Sequence, residues 1–328
     1  MVEGHDRENA GKNSDMGITG LATLAFLAKG HTHLEGEHRE TVQKALEYLV
    51  NRQHANGSLG GQAGTYAKMY CHAMALLAIS EAYAMTRDER IRPFLDRALA
   101  FTVSAQHPVY GGWRYHPGDR GDMSQFGWQV LALHSAALSG IEIDEPTRQR
   151  MTRFLKDASA GSLNGLASYR PGERATVTMT AEALACRFFL GIENRPEQIE
   201  EATRFLLQND PGQGETDLYY WYYGTLAMYQ MQDDTWNTWA AKLQPRLLET
   251  QVQSGELAGS WHPNCRWGGY GGRVYATAMA TLSLEVYFRY LPIYRPASVE
   301  QPPGEILEAT RPDIQMAEKP LQPVVIPR

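Results

Sequence analysis

The sequence predicts an all-α domain of repeated helical hairpins, closed into an inner and an outer ring. Three observations predict it. Segments carrying one apolar stripe at helical spacing alternate with segments that are apolar nearly all round. The alternation returns about every fifty residues. Gly-rich turns separate the two kinds of segment. A striped helix buries one face and shows the other to water, whereas an all-apolar helix must be enclosed by protein. Repeating the pair therefore sets apolar helices inside and striped helices outside, an α/α toroid.

The chain opens with an apolar helix over residues 16–28 that has no striped partner before it. Val42, Ala45, Leu46 and Leu49 form the first stripe, which ends at Gln53, and Gly57, Gly60 and Gly61 punctuate the turn. Residues 70–84 follow, with almost no charged face. The second pair is the stripe Ile91, Leu95, Ala98, Leu99 and Thr102, the turn Gln106, Gly111, Gly112 and Trp113, and the apolar helix 126–138. Later pairs are 148–158 with 177–190, 199–208 with 218–231, and 236–251 with 274–290. Pro245 should kink or divide the last striped helix, because it lacks an N–H and its ring crowds the preceding turn. The total is about six inner and five to six outer helices. The outer helix missing at the start predicts an incomplete barrel, a longer native chain, or closure by another segment.

Residues 1–15 read as a flexible segment, 16–294 as the toroid, and 295–328 as an extended tail. The tail carries Pro296, Pro302, Pro303, Pro312, Pro320, Pro323 and Pro327, a composition that suits a linker or a protein partner. The 328 residues are 43% hydrophobic and 21% charged, as in ordinary globular proteins. A net charge of -6 without a basic stripe excludes nucleic acid as the expected partner. No apolar run is long enough for a transmembrane segment, and the polar N-terminus lacks the apolar core of a secretory signal. Cys71, Cys186 and Cys265 are too few and too scattered for a disulfide framework, so a reduced, cytoplasmic setting is expected.

Residues 97–113, RALAFTVSAQHPVYGGW, resemble the QW repeat of squalene-hopene cyclases: a basic-small pair, an aromatic, Gln, and then Gly-x-Trp. Gln251 with Gly259, Ser260 and Trp261 is a looser copy. Gln53 to Gly57 is another, with Leu59 in the Trp position, and the copy near Arg148 lacks the Gln. The resemblance spans roughly residues 16–294. It extends to protein prenyltransferase β-subunits and to the thioester domains of complement-like proteins, and it implies their toroid.

Class II cyclases protonate an alkene from an Asp-x-Asp-Asp motif at the start of an inner helix. The adjacent pair here, Asp233-Asp234, opens an outer helix, where Asp234 reads as an N-cap. Asp119 and Asp122 are better placed, just before an inner helix; Asp122 reads either as an acid or as that helix's cap. The prenyltransferase zinc element would be Asp122-Met123-Ser124, with Ser in place of Cys, and residues 219–222 supply no His. His262 and Cys265 lack a third ligand, so no metal or other cofactor is expected. The thioester motif is absent, since His72-Ala73 follows Cys71. Ser124 and Ser168 sit in no nucleophile elbow, and His72 and His134 lie within apolar helices.

Inner helices that run in one direction bring their N-termini, with unpaired N–H groups and partial positive charge, to one mouth. Lys68, Arg114, Arg120, Arg170, Arg174, Arg266 and Arg273 lie on the loops around it. Together with an aromatic pit of Tyr219, Tyr220, Trp221, Tyr222 and Tyr223, with Trp128 and Tyr275, this suits an isoprenoid diphosphate, a carbocation being stabilised by the rings. The expected reading is a hydrophobic, isoprenoid-type ligand held by Asp119, Asp122, His72, Trp128, Tyr219, Tyr222, Tyr275, Arg120, Arg174 and Arg273. Whether catalysis accompanies binding stays open. Two alternatives remain: a non-catalytic scaffold for protein partners, and a carbohydrate-active toroid pairing Asp119 or Asp122 with Glu182.

Overall fold

The computed structural model describes residues 11–288 and 291–294; the proline-rich tail expected over 295–328 lies outside them. Among the described residues are eleven α-helices. The inner helices are α1 (Asp15–Ala28), α3 (Thr65–Thr86), α5 (Met123–Leu138), α7 (Val177–Phe189), α9 (Leu218–Met231) and α11 (Gly268–Glu285). Each packs on the next, and α11 packs back on α1, so the inner ring is closed, with no sixth outer helix among the described residues. Small residues permit the closest approaches: Gly17 and Gly20 of α1 lie against the α3 backbone at Cys71 and Met74. The outer helices are α2 (Arg39–Asn51), α4 (Arg92–Ala105), α6 (Glu145–Asp157), α8 (Pro196–Leu207) and α10 (Asp234–Thr250). Each buries the stripe seen in the sequence: Val42, Leu46 and Leu49 on α2, and Leu95, Ala98, Leu99 and Thr102 on α4.

The Gln–Gly–Trp turns are clamps between consecutive outer helices. Gln53, just past α2, donates to the Gly57 and Phe94 carbonyls and accepts from Arg97 of α4. Gln106, just past α4, repeats this with the Gly111 and Thr147 carbonyls and Arg150 of α6. Gln251, capping α10, bonds the Gly259 carbonyl. The tryptophans hang beneath: the Trp113 indole donates to the Thr102 carbonyl and that of Trp261 to Leu247, both at 2.8 Å.

Three local expectations are corrected. α10 runs unbroken through Pro245, because Trp239, Leu243 and Leu247 bury its stripe on both sides of the proline. Its cap is Asp233, which accepts from the Thr235 N–H, and not Asp234, which lies in the first turn. The last inner helix ends at Glu285, after a break at Gly272 where φ is +76°. A short hairpin, β1 (Ser159–Ala160) with β2 (Leu166–Ala167), joins α6 to α7 and has no signal in the sequence pattern. Of the segment expected to be flexible over 1–15, residues 1–10 lie outside the described residues, and residues 11–14 form a turn tied by the Gly11 N–H to the Tyr270 carbonyl. A 3-10 turn at Pro292–Tyr294 packs on α3 and α5 and covers the C-terminal end of the inner ring. The opposite end, where the inner N-termini meet, is the mouth.

Candidate functional site

Asp122 is the N-cap of α5: its extended backbone lets Oδ1 accept from the Gln125 N–H at 2.9 Å. Oδ2 accepts from the Tyr169 hydroxyl at 2.9 Å and from Arg114 Nε at 3.1 Å. The carboxylate is fully buried, whereas the Arg114 side chain is 29% exposed. Burial pushes the Asp122 carboxyl up, opposed by the Gln125 N–H, Tyr169 and Arg114, all of which favour its charged form. Tyr169 spends its proton on Asp122, so at 3.0 Å it accepts from Tyr115. Tyr66, 74% exposed, stands with its ring edge-on to Tyr115.

A second line of polar groups starts from Glu182, on the inward face of α7 and fully buried. The Tyr219 hydroxyl lies 3.2 Å and 3.4 Å from its two oxygens. Ser124, in the first turn of α5, lies 2.9 Å from that hydroxyl, and the Tyr70 hydroxyl 2.8 Å beyond. Burial raises the Glu182 carboxyl well above the usual range, and the neighbouring Asp122 charge adds to this. Tyr70 and Tyr219 are likewise pushed up by burial and stay neutral phenols.

Glu182 lies flat on the α5 backbone, where only glycine fits. A Cβ at Gly127 would overlap the Glu182 carboxyl. Glycine to alanine normally favours a helix interior by about 1 kcal/mol, but here overpacking of about 1–3 kcal/mol opposes it. Gly127→Ala is therefore expected to lower Tm, and Gly127→Ala with Glu182→Ala to recover part of the loss in calorimetry.

The remaining expected site residues divide sharply. Trp128 and Tyr222 are 0% and 1% exposed and stack at 6.1 Å, with Tyr219 and Tyr223 packed against Trp128 at 6.2 Å and 5.7 Å. They fill the ring axis below the mouth. Tyr275 is buried beside Cys265 and Asp217. Asp119 accepts from the His116 N–H and shapes a turn. Arg120 stacks over Tyr110 at 4.4 Å, Arg174 is exposed on the loop before α7, and Arg273 is buried against Ser260 and His262. The basic mouth is thus largely consumed by local partners: Arg114 by Asp122, Arg170 by Glu173, and Arg266 by Asp217.

His72 is corrected outright. It lies within α3 and is fully buried, accepting from the Leu59 N–H at 3.0 Å and bonded at 2.8 Å to Thr102 of α4. Asp122 is a cap with both oxygens occupied, so it positions Tyr169 and Arg114 and is not itself presented to a ligand. Tyr115 and Tyr169 were absent from the expected set, and Tyr70 figured only as the first residue of an inner helix. The available signal was tyrosine in the loops preceding the inner helices. Among the described residues no three His, Cys, Asp or Glu side chains cluster as a metal site, and no helix is long and apolar enough to cross a membrane.

No protein-family model matches the sequence, and no curated protein sequence matches it. Solved structures do. An inactive variant of an α-1,6-mannanase of Salegentibacter sp. HEL1_6, in complex with α-1,6-mannotriose, matches with a TM-score of 0.56 at 14% identity, over 83% of this chain and 88% of that one. A second inactive variant, in complex with α-1,6-mannotetrose, gives 0.57 at 14%, over 85% and 89%. Candida albicans protein geranylgeranyltransferase-I complexed with GGPP gives 0.54 at 15%, over 84% and 87%. At such identities the likeness is one of fold, and the chain has the α/α toroid that a glycan-bound and an isoprenoid-bound protein share.

Proposed function

We propose that the mouth binds a carbohydrate-type, polyhydroxyl ligand. One observation carries the reading: half-buried tyrosine hydroxyls and an exposed ring surround the mouth, held in place by two buried carboxyl groups. Tyr70, Tyr115 and Tyr169 place their hydroxyls there, the last two bonded to Arg114, and Tyr66 is 74% exposed with its ring edge-on to Tyr115. Sugars need this combination of directional polar partners and an apolar platform. The mannanase neighbours were solved with mannose oligosaccharides, and both variants were inactivated at two aspartates adjacent in sequence. The adjacent pair of this chain, Asp233-Asp234, lies at the start of outer helix α10, on the far side from the mouth. The proposal is therefore for binding, with Asp122 as a positioning residue.

A second reading, isoprenoid binding, draws on the Trp128, Tyr219, Tyr222 and Tyr223 rings along the axis. It requires those packed rings to part for the tail, since none is more than 6% exposed.

Thermal shift with mannose, xylose and glucose oligosaccharides, alongside geranylgeranyl diphosphate, separates the readings, because a ligand of the folded state raises its stability. One glycan class is expected to stabilise the protein saturably. Tyr115→Phe should weaken that ligand about tenfold, the worth of one hydrogen bond near 1.4 kcal/mol. Stabilisation by geranylgeranyl diphosphate alone, abolished by Trp128→Leu, would overturn the carbohydrate reading. A response to neither would favour a scaffold for protein partners.

A further inference from the structure

Exposed aromatic side chains gather at one end of the ring. Among the described residues, Tyr66, Trp267, Tyr270 and Phe288 are the aromatics left largely in water. The first three stand at the mouth: Tyr66 in the first turn of α3, and Trp267 and Tyr270 where α11 begins. Trp267 is 45% and Tyr270 57% exposed, so the fold gains little by burying them. Large rings kept in water at one opening mark a contact surface.

The segment carrying Trp267 is nevertheless held firmly. The Arg266 N–H donates to the Thr216 carbonyl at 3.2 Å, the Gly268 N–H to the Cys265 carbonyl at 3.0 Å, and the Tyr270 N–H to the Trp267 carbonyl at 3.0 Å. A Cβ at Gly268 would overlap the Pro263 carbonyl, so the turn is tightly closed. A ring set in place beforehand loses little freedom when a ligand stacks on it.

Polar groups of balanced charge stand beside Trp267. The Arg266 guanidinium lies 5.8 Å from its ring centre and pairs at 3.6 Å with Asp217, the cap of α9. The two charges offset each other, which disfavours an anion such as a diphosphate. The pair still combines guanidinium N–H donors with a carboxylate acceptor. A neutral hydroxyl accepts from the first and donates to the second, and a sugar adds a face of C–H groups for the aromatic ring.

We infer that Trp267, Arg266 and Asp217 form a second sugar subsite, so that the ligand is an oligosaccharide reaching from Tyr66 to Trp267 and not a single sugar. The inference rests on the carbohydrate reading and adds chain length to it. α3 and α11 both pack on α1, which sets their N-termini about 16 Å apart at ordinary helix spacing. One sugar ring does not cover that span, whereas a chain of several does. Between the two platforms α1 begins, with Lys12, Asn13 and Asp15 exposed as polar company for the middle of the chain.

Calorimetric titration with mono-, tri- and hexasaccharides of α-1,6-mannose, β-1,4-xylose and β-1,4-glucose tests this. In the class that binds, the hexasaccharide should bind at least about tenfold tighter than the monosaccharide. Trp267→Ala and Tyr66→Ala should each weaken the hexasaccharide about tenfold, while Trp267→Phe, which keeps a ring, should stay within about threefold of wild type. Wild-type affinity in Trp267→Ala, with a loss in Tyr66→Ala, would overturn the second subsite and leave the carbohydrate reading standing. Equal losses in Trp267→Phe and Trp267→Ala, with Tm lowered in both, would reduce Trp267 to a support of the fold and refute the inference. A wild type that binds no saccharide of any length overturns the carbohydrate reading and this inference with it. A wild-type dimer in sedimentation, abolished by Trp267→Ala, would assign the rings to a second copy of this chain and likewise refute it.

Discussion

Gly111→Ala is expected to destabilise the protein by about 2–5 kcal/mol, the sum of left-handed backbone strain and overpacking. Gly111 has φ of +78°, where an L side chain is strained. A Cβ there would also overlap the Arg150 carbonyl oxygen in the middle of α6. Backbone cannot rotate away as a side chain does, so α6 would have to retreat. That retreat stretches the bonds from Gln106 to the Thr147 carbonyl and from Arg150 to Gln106. At about 2–4 °C per kcal/mol for a domain of this size, Tm should fall by roughly 4–20 °C. Gly57, with its Cβ position against the Arg97 carbonyl, occupies the same place in the preceding clamp and should behave alike. Gly118 is the control: its φ is +79°, but nothing lies within 4 Å, so its alanine variant pays only the strain. Calorimetric losses no larger at Gly111 than at Gly118 would show that the outer ring yields easily at its clamps.

Acid should unfold the protein partly through His72. Burial holds its imidazole neutral, with the folded pKa lowered from 6.5 to about 3. The network requires this, because Nδ1 accepts from the Leu59 N–H while Nε2 faces Thr102, and a second ring proton would set donor against donor. Between pH 6.5 and about 3 the unfolded chain binds a proton that the folded chain refuses. The contribution of His72 to stability is thus intact above pH 6.5 and shrinks as the pH falls through that window. One proton is worth about 1.4 kcal/mol per pH unit, so lowering the pH from 6.5 to 4.5 should remove roughly 3 kcal/mol. His72→Gln should be less stable at pH 7 but should lose less on acidification, as read from denaturant midpoints at several pH values. A variant with the wild-type slope would place the acid sensitivity elsewhere.

His72 also shows where reading along the chain reaches its end. From the sequence it was one polar residue in an apolar helix; its partners, Leu59 and Thr102, come from a turn and from an outer helix. The mouth was harder still. Asp122 was legible as cap or acid because capping is local, decided by the Gln125 N–H three residues on. Arg114 and Tyr115 lie earlier in the same loop as Asp122, but Tyr169, which ties them together, arrives from the connection between α6 and α7. Arg114 and Arg170 proved to be paired with acids of their own loops, Asp122 and Glu173, while Arg266 reaches Asp217 in another loop, a pairing that only the closed ring provides.

The sequence by itself determined the two helix types, their order and their inner and outer placement, since apolar periodicity reports directly which face of each helix must leave water, while closure of the ring was decided by α11 packing on α1. The Gln–Gly–Trp turns were legible for the same reason: their bonds reach only to the next outer helix. Only the tertiary structure decided that the axis is packed by Trp128 and Tyr222, that α10 runs on through Pro245, and that Glu182 is joined to the mouth by hydroxyls from α9, α5 and α3. Those outcomes depend on directional bonds a few ångströms long between residues far apart in the chain, and no one-dimensional pattern records such distances.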